Sequence, residues 1–203
     1  MNKSVVKNAL ILAAFTLVCG LVLGFVYDLT KDRIAAADLE ALHEAYQEVF
    51  EEASTFEAIE YDEDEANELV SEAGYSDTID DVQGAYDADG TLLGYVFTVT
   101  AKDGSQGSIT LCIGMMLDGT MNGYSITDSS ETAGLGSKAS DEEFASQFVD
   151  VLVEAFEVVS YTTSDVSKVE SISGATITSK AVANACNAAI LYFNELTGGT
   201  EDE

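Results

Sequence analysis

The segment SGATITS, residues 173–179, combines hydroxyls with very small side chains where a helical pattern begins. Ser173, Thr176, Thr178 and Ser179 carry the hydroxyls, while Gly174 and Ala175 leave the backbone open. A helix start presents N–H groups without intrahelical acceptors and a partial positive charge, so it receives a phosphate well. Small residues ahead of it let the phosphate approach the main chain. Thr178 or Ser179 can act as the N-cap. The plainer reading is a glycine turn with a hydroxyl cap and no ligand, and spacing alone fits both.

Other chemistry is scarce. His43 is the only histidine, so a histidine-dependent triad or a multi-histidine metal site is excluded away from position 43. Cys19, Cys112 and Cys186 are too far apart in sequence to form a CxxC pair. Two buried free thiols at Cys112 and Cys186 are the simpler expectation than a disulfide. No catalytic residue and no metal ligand is assigned.

The elements that must position the 173–179 segment follow from periodicity. Residues 84–100 read as a hairpin turning at Asp87, Ala88, Asp89 and Gly90, and residues 108–128 as a second one turning at Leu117, Asp118, Gly119 and Thr120. Ser140 and Glu143 form a capping box, predicting a helix with Phe144, Phe148, Val151, Leu152 and Ala155 on one face. Residues 166–172 read as a strand. A last helix, about 179–196, buries Val182, Ala185, Ala189, Tyr192, Phe193 and Leu196. The fold class expected is α+β: an antiparallel sheet with packed helices, preceded by one N-terminal transmembrane helix.

That helix is residues 9–27, an uncharged run spanning roughly 28 Å, close to the thickness of a bilayer core. Its end, Gly24-Phe25-Val26-Tyr27-Asp28, is a poor signal-peptidase site, which favours an uncleaved anchor. Lys3 and Lys7 keep the short leading segment, 1–8, in the cytoplasm, so the bulk of the chain lies outside. Gly20 and Gly24 make a small-xxx-small pair suited to packing on another span. A juxtamembrane helix from Ile34 to about Phe56 and an acidic segment of loop and short helix fill 28–80. The sheet domain is expected over 81–197, with an acidic tail at 198–203. Net charge is −29, with 37 acidic against 8 basic residues, which excludes nucleic acid as a partner. Between positions 51 and 81 there are 13 acidic residues and no basic one, read as a solvated face.

Two motifs carry a resemblance. SGATITS is similar to the flavin-attachment motif of the FMN-binding domain family, and SSETAGLGSK at 129–138 resembles that family's H-x-E-T-P-G-L-G loop. Ser129 stands for the histidine and Ala133 for the proline; Glu131, Thr132, Gly134, Leu135 and Gly136 are kept. With the anchor, the likeness covers nearly the whole chain and is greatest to the membrane-anchored subunits of ion-translocating electron transport complexes.

The resemblance implies covalent FMN, joined through its phosphate to Thr176. It implies cofactor contacts from Glu131, Thr132, Gly134, Leu135, Gly136, Lys138, Ser173, Gly174, Ala175 and Thr178. A separate flavin transferase would recognise a D-x-x-S-G-A-T pattern, here Glu170, Ser173, Gly174, Ala175 and Thr176, with Glu170 one methylene longer than the usual Asp. A threonine hydroxyl is a weak nucleophile without a base, and no histidine lies near Thr176, which agrees with an external transferase. The implied function is electron relay within an Na⁺- or H⁺-translocating ferredoxin:NAD-type oxidoreductase complex, with other membrane and iron–sulfur subunits as partners. The uncharged span leaves ion passage to those partners. The alternatives are a free-standing anchored FMN carrier and an anchored assembly module with an empty site.

Overall fold

A computed structural model of the chain describes residues 3–198. It divides into two units, one up to residue 41 and one from Leu42 onward. The first is helical. Helix α1 is Lys3–Val49, so the anchor and the juxtamembrane helix expected separately fall within one element. No glycine or proline interrupts residues 25–49, and Asp28 pairs with Lys31 one turn on at 2.5 Å. Leu10, Phe15, Leu21, Phe25 and Tyr27 are all exposed, and the helix is long and apolar enough to cross a membrane. Such a surface is unfavourable in water and favourable in hydrocarbon.

The second unit is built on a five-stranded antiparallel meander. Its strands are β1 Thr55–Ala58, β2 Thr78–Tyr86, β3 Leu92–Ala101, β4 Ile109–Met116 and β5 Met121–Ser129. The two expected hairpins are β2–β3 and β4–β5, and Phe97 sits opposite Val82 on one side and Ile113 on the other. The short helix expected in the acidic 51–80 segment is α2 (Glu63–Glu72), and the segment also supplies β1 and the start of β2. The expected helix therefore ends at Val49 rather than Phe56. Phe56 belongs to β1 and meets His43 edge-on. Asp62 caps α2 by accepting the Asp64 and Glu65 N–H groups.

Period-two alternation gives the sheet two buried faces. Val82, Phe97, Val99, Leu111 and Ile113 pack with Val182, Ala185, Ala189 and Phe193 of helix α4, Thr176–Gly198. Ala85, Val96 and Cys112 pack against Ala45, Tyr46, Val49 and Phe50 at the end of α1. Cys112 and Cys186 are buried free thiols. Burial pushes the Cys112 thiol up to about 12 and raises that of Cys186 as well.

Two elements differ from expectation between the sheet and α4. The capping-box helix is a single turn, α3 Glu142–Ala145, led by Asp141 and followed by a 3₁₀ turn at Ser146–Phe148. Val149 is extended, Asp150 takes a positive φ of 56°, and Val151 exchanges two backbone hydrogen bonds with Met121. Pairing with the sheet thus wins over helical continuation, and Leu152 is left exposed. The expected 166–172 strand shrinks to β7, Lys168–Glu170, which runs parallel to β6, Glu157–Val159, outside the main sheet. The acidic tail expected at 198–203 lies, beyond Gly198, outside the described residues.

One buried group lacks support. Asp77, just before β2, is 4% exposed and neither carboxylate oxygen makes a well-formed hydrogen bond. Burial, with the Asp103 carboxylate adding to it, pushes its pKa up to about 7, while the Lys102 N–H and ammonium oppose the rise.

Candidate functional site

The two motifs meet at the start of α4. The helix begins at Thr176, three residues before the expected boundary, so Thr178 and Ser179 lie inside its first turn rather than at its cap. The Ser179 hydroxyl accepts the Ile172 N–H at 2.9 Å and donates to the Ala175 carbonyl at 3.0 Å, tying the incoming chain to the helix from within. Gly174 has a φ of +80°, a left-handed turn that a side chain would strain. This turn leaves Ser173, Thr176 and Ile177 exposed and Ala175 buried. Among the described residues, the N–H groups of Thr176, Ile177 and Thr178 have no protein acceptor. The exposed Thr176 hydroxyl therefore stands at an anion-receptive helix start.

The 129–138 loop closes over this turn. Its Leu135 N–H and Ser137 N–H both donate to the Thr132 carbonyl, and the Gly134 N–H donates to the Ser137 hydroxyl at 2.9 Å. Ser137, absent from the sequence-derived site, thereby shapes the loop; its hydroxyl two residues after a Gly-Leu pair was the only signal. Leu135 is 44% exposed and its Cδ2 lies beside Gly174, 3.3 Å from where a Cβ would stand.

Below the surface, Glu131 joins three segments. One carboxylate oxygen accepts the Thr178 hydroxyl at 2.8 Å, and the other accepts the Gln106 N–H of the β3–β4 loop at 3.0 Å. Gly136 sits against this contact, where a Cβ would fall 2.8 Å from both Glu131 Cβ and Thr178 Oγ1. The Thr178 hydroxyl is wholly buried and spent on Glu131. Glu131, Gly136 and Thr178 therefore fit one another, whereas Thr132, Gly134, Leu135, Ser173 and Thr176 face outward.

Glu170, six residues before Thr176, is held by another residue the sequence did not reveal. Gln147 accepts the Glu170 N–H at 2.7 Å and donates to its carbonyl at 3.3 Å. The Glu170 carboxylate accepts the Thr162 hydroxyl at 2.8 Å and is exposed. Nothing in the local sequence pairs positions 147 and 170; only the packing of the 3₁₀ turn on β7 does. Lys138 is exposed, and from Leu42 onward the only basic residues are Lys102, Lys138, Lys168 and Lys180. Lys180 lies one turn beyond Thr176, and Lys138 and Lys168 share a cavity that reaches Ser173.

An α+β unit with an apolar helix ahead of it, and a hydroxyl-bearing helix start covered by a glycine loop, is the architecture of an anchored FMN-binding domain. Residues 104–191 match the FMN-binding domain family, and residues 1–49 match the RnfG N-terminal region. The chain is 30% identical to the G subunit of the ion-translocating oxidoreductase complex of Methanosarcina acetivorans, over 97% of this chain and 98% of that one. It is 30% identical to the G subunit of the Na(+)-translocating ferredoxin:NAD(+) oxidoreductase complex of Acetobacterium woodii, over 96% and 94%. The chain belongs to the G-subunit family of ion-translocating oxidoreductase complexes. Its fold is shared with a crystal structure of the C subunit of the Na(+)-translocating NADH-quinone reductase from Parabacteroides distasonis. That match has a TM-score of 0.50 and 21% identity, over 74% of this chain and 80% of that one.

Proposed function

We propose that this chain is a membrane-anchored flavoprotein subunit that carries FMN as a phosphoester on Thr176. It relays electrons within an ion-translocating ferredoxin:NAD-type oxidoreductase complex. Its N-terminus faces the cytoplasm and its sheet domain lies outside, the orientation favoured by Lys3 and Lys7. Other membrane and iron–sulfur subunits supply and remove the electrons. The observation that carries the reading is the exposed Thr176 at the first residue of α4, beside three N–H groups that have no acceptor among the described residues.

The residues present fit a phosphoester. Thr176 Oγ would bond to the FMN phosphorus of FAD within a flavin transferase, the pyrophosphate bond would break, AMP would leave, and the hydroxyl proton would pass to a base of the transferase. The N–H groups of the exposed Thr176 and Ile177 would then face the phosphate charge, and Lys180 would offset part of it. Leu135, beside Gly174, and Ile177, next to Thr176 in the chain, are 44% and 59% exposed and offer apolar surface near the attachment point. FMN supplies the electron-carrying chemistry; the protein supplies position and field.

The test is the full chain produced with a flavin transferase, followed by peptide mass spectrometry and ultraviolet imaging of a denaturing gel. A fluorescent band, and an FMN phosphoester on the peptide containing Thr176, are expected, and Thr176→Ala abolishes both. A wholly unmodified Thr176 peptide from material made with an active transferase overturns the proposal.

A further inference from the structure

Beside the attachment loop lies a cavity of about 430 Å³, within the size range of small-molecule sites. Phe144 and Ile172, both buried, supply the apolar part of its lining. Its polar lining is mixed: Lys138 and Lys168 stand with the carboxylates of Asp141, Glu143 and Glu170. Lys138 has no ion pair among the described residues, and Lys168 has only a loose one with Asp165 at 3.8 Å. The cavity ends at Ser173, and three residues of chain, at most roughly 11 Å, separate Ser173 from Thr176.

With three carboxylates against two ammonium groups, the lining as a whole does not favour a phosphate or any other free anion. A small cation would make no use of the apolar surface of Phe144 and Ile172. The occupant that fits is neutral, flat and apolar on its faces, with hydrogen-bond acceptors and a donor along one edge. We infer that this cavity seats the isoalloxazine ring of the flavin tethered at Thr176, with Lys168 the positioning residue for its pyrimidine edge. That edge has an N–H between two carbonyls, so it can both accept from an ammonium and donate to a carboxylate. The inference rests on the attachment proposed above and goes beyond it, because the tether alone does not choose a seat. Reduction adds negative charge to the ring, and a nearby ammonium stabilises that charge.

The experiment uses the full chain labelled by the transferase, as wild type and as Lys168→Gln, Lys168→Arg and Thr163→Phe. Thr163 also lines the cavity, and the larger side chain obstructs it. Mass spectrometry counts the labelled fraction, circular dichroism checks the fold, and the potential and acrylamide quenching are read on labelled chains. The expected result is a more negative midpoint potential in Lys168→Gln, near-complete recovery in Lys168→Arg, and at least twofold stronger quenching in Thr163→Phe. If the chain is labelled but Lys168→Gln leaves the potential unchanged, the seat is overturned while attachment stands, whether or not Thr163→Phe folds. If the wild-type chain is not labelled, attachment is overturned and the seat with it.

Discussion

The hydroxyl of Thr178 donates to the carboxylate of Glu131 at 2.8 Å across 47 positions of chain. The same carboxylate holds the Gln106 N–H. This contact fixes the glycine loop and the first turn of α4 to each other, and Thr176 sits on that turn facing out.

Removing the carboxylate should therefore cost stability as well as shape. Glu131→Ala leaves the buried Thr178 hydroxyl without an acceptor and is expected to lose about 1–3 kcal/mol in urea unfolding. Adding Thr178→Val removes the stranded donor, so the double variant should be more stable than the sum of the single losses predicts. Strict additivity in that cycle would refute the coupling.

Gly136→Ala tests the close approach directly. The new methyl would meet Thr178 Oγ1 and Glu131 Cβ at 2.8 Å, so the loop must shift. The expected loss is about 1–3 kcal/mol, read as a lower urea midpoint with an unchanged slope. Gly134→Ser, on the exposed part of the same loop, is expected to lose less, since no atom lies within contact distance of its Cβ and only backbone strain at its φ of +76° opposes it.

Asp77 predicts a pH dependence. Its folded pKa, about 7, lies above the ordinary aspartate value, so the folded state binds the proton more tightly than the unfolded chain does. The stabilisation is fully present below about pH 4, is lost as pH rises through 7, and is flat above that. Asp77→Asn should remove this component, raising the unfolding temperature at pH 8 while changing it much less at pH 4. An equal change at both pH values would show that the charge of Asp77 is not the cause.

Gln147 acts on the segment preceding the attachment site. Gln147→Leu removes both hydrogen bonds to the Glu170 backbone. Labelling by a flavin transferase is expected to slow severalfold, measured as fluorescent band intensity against time, with the final extent still set by Thr176. A labelling rate equal to wild type would mean that the backbone at Glu170 need not be held for recognition.

Much of this was legible in the sequence because it is local or periodic. The uncharged run at 9–27, the two hairpins marked by Asp-Gly turns, and the apolar face of α4 follow from hydropathy and turn chemistry, which depend on near neighbours. The two motifs likewise pointed to one loop and one hydroxyl. The structure alone decided what required distant partners. A capping-box signal over 140–143 gave way because Val151 found Met121, and a ladder hydrogen bond across thirty residues leaves no trace in local pattern. The acidic 51–80 segment reads as solvated, yet pairing with β2 makes part of it an edge strand. Motif likeness groups Glu131 and Thr178 with the cofactor contacts, but only the folded chain shows that they bond to each other across 47 positions. Side-chain type determines what a residue can bond; only the folded chain determines which partner reaches it first.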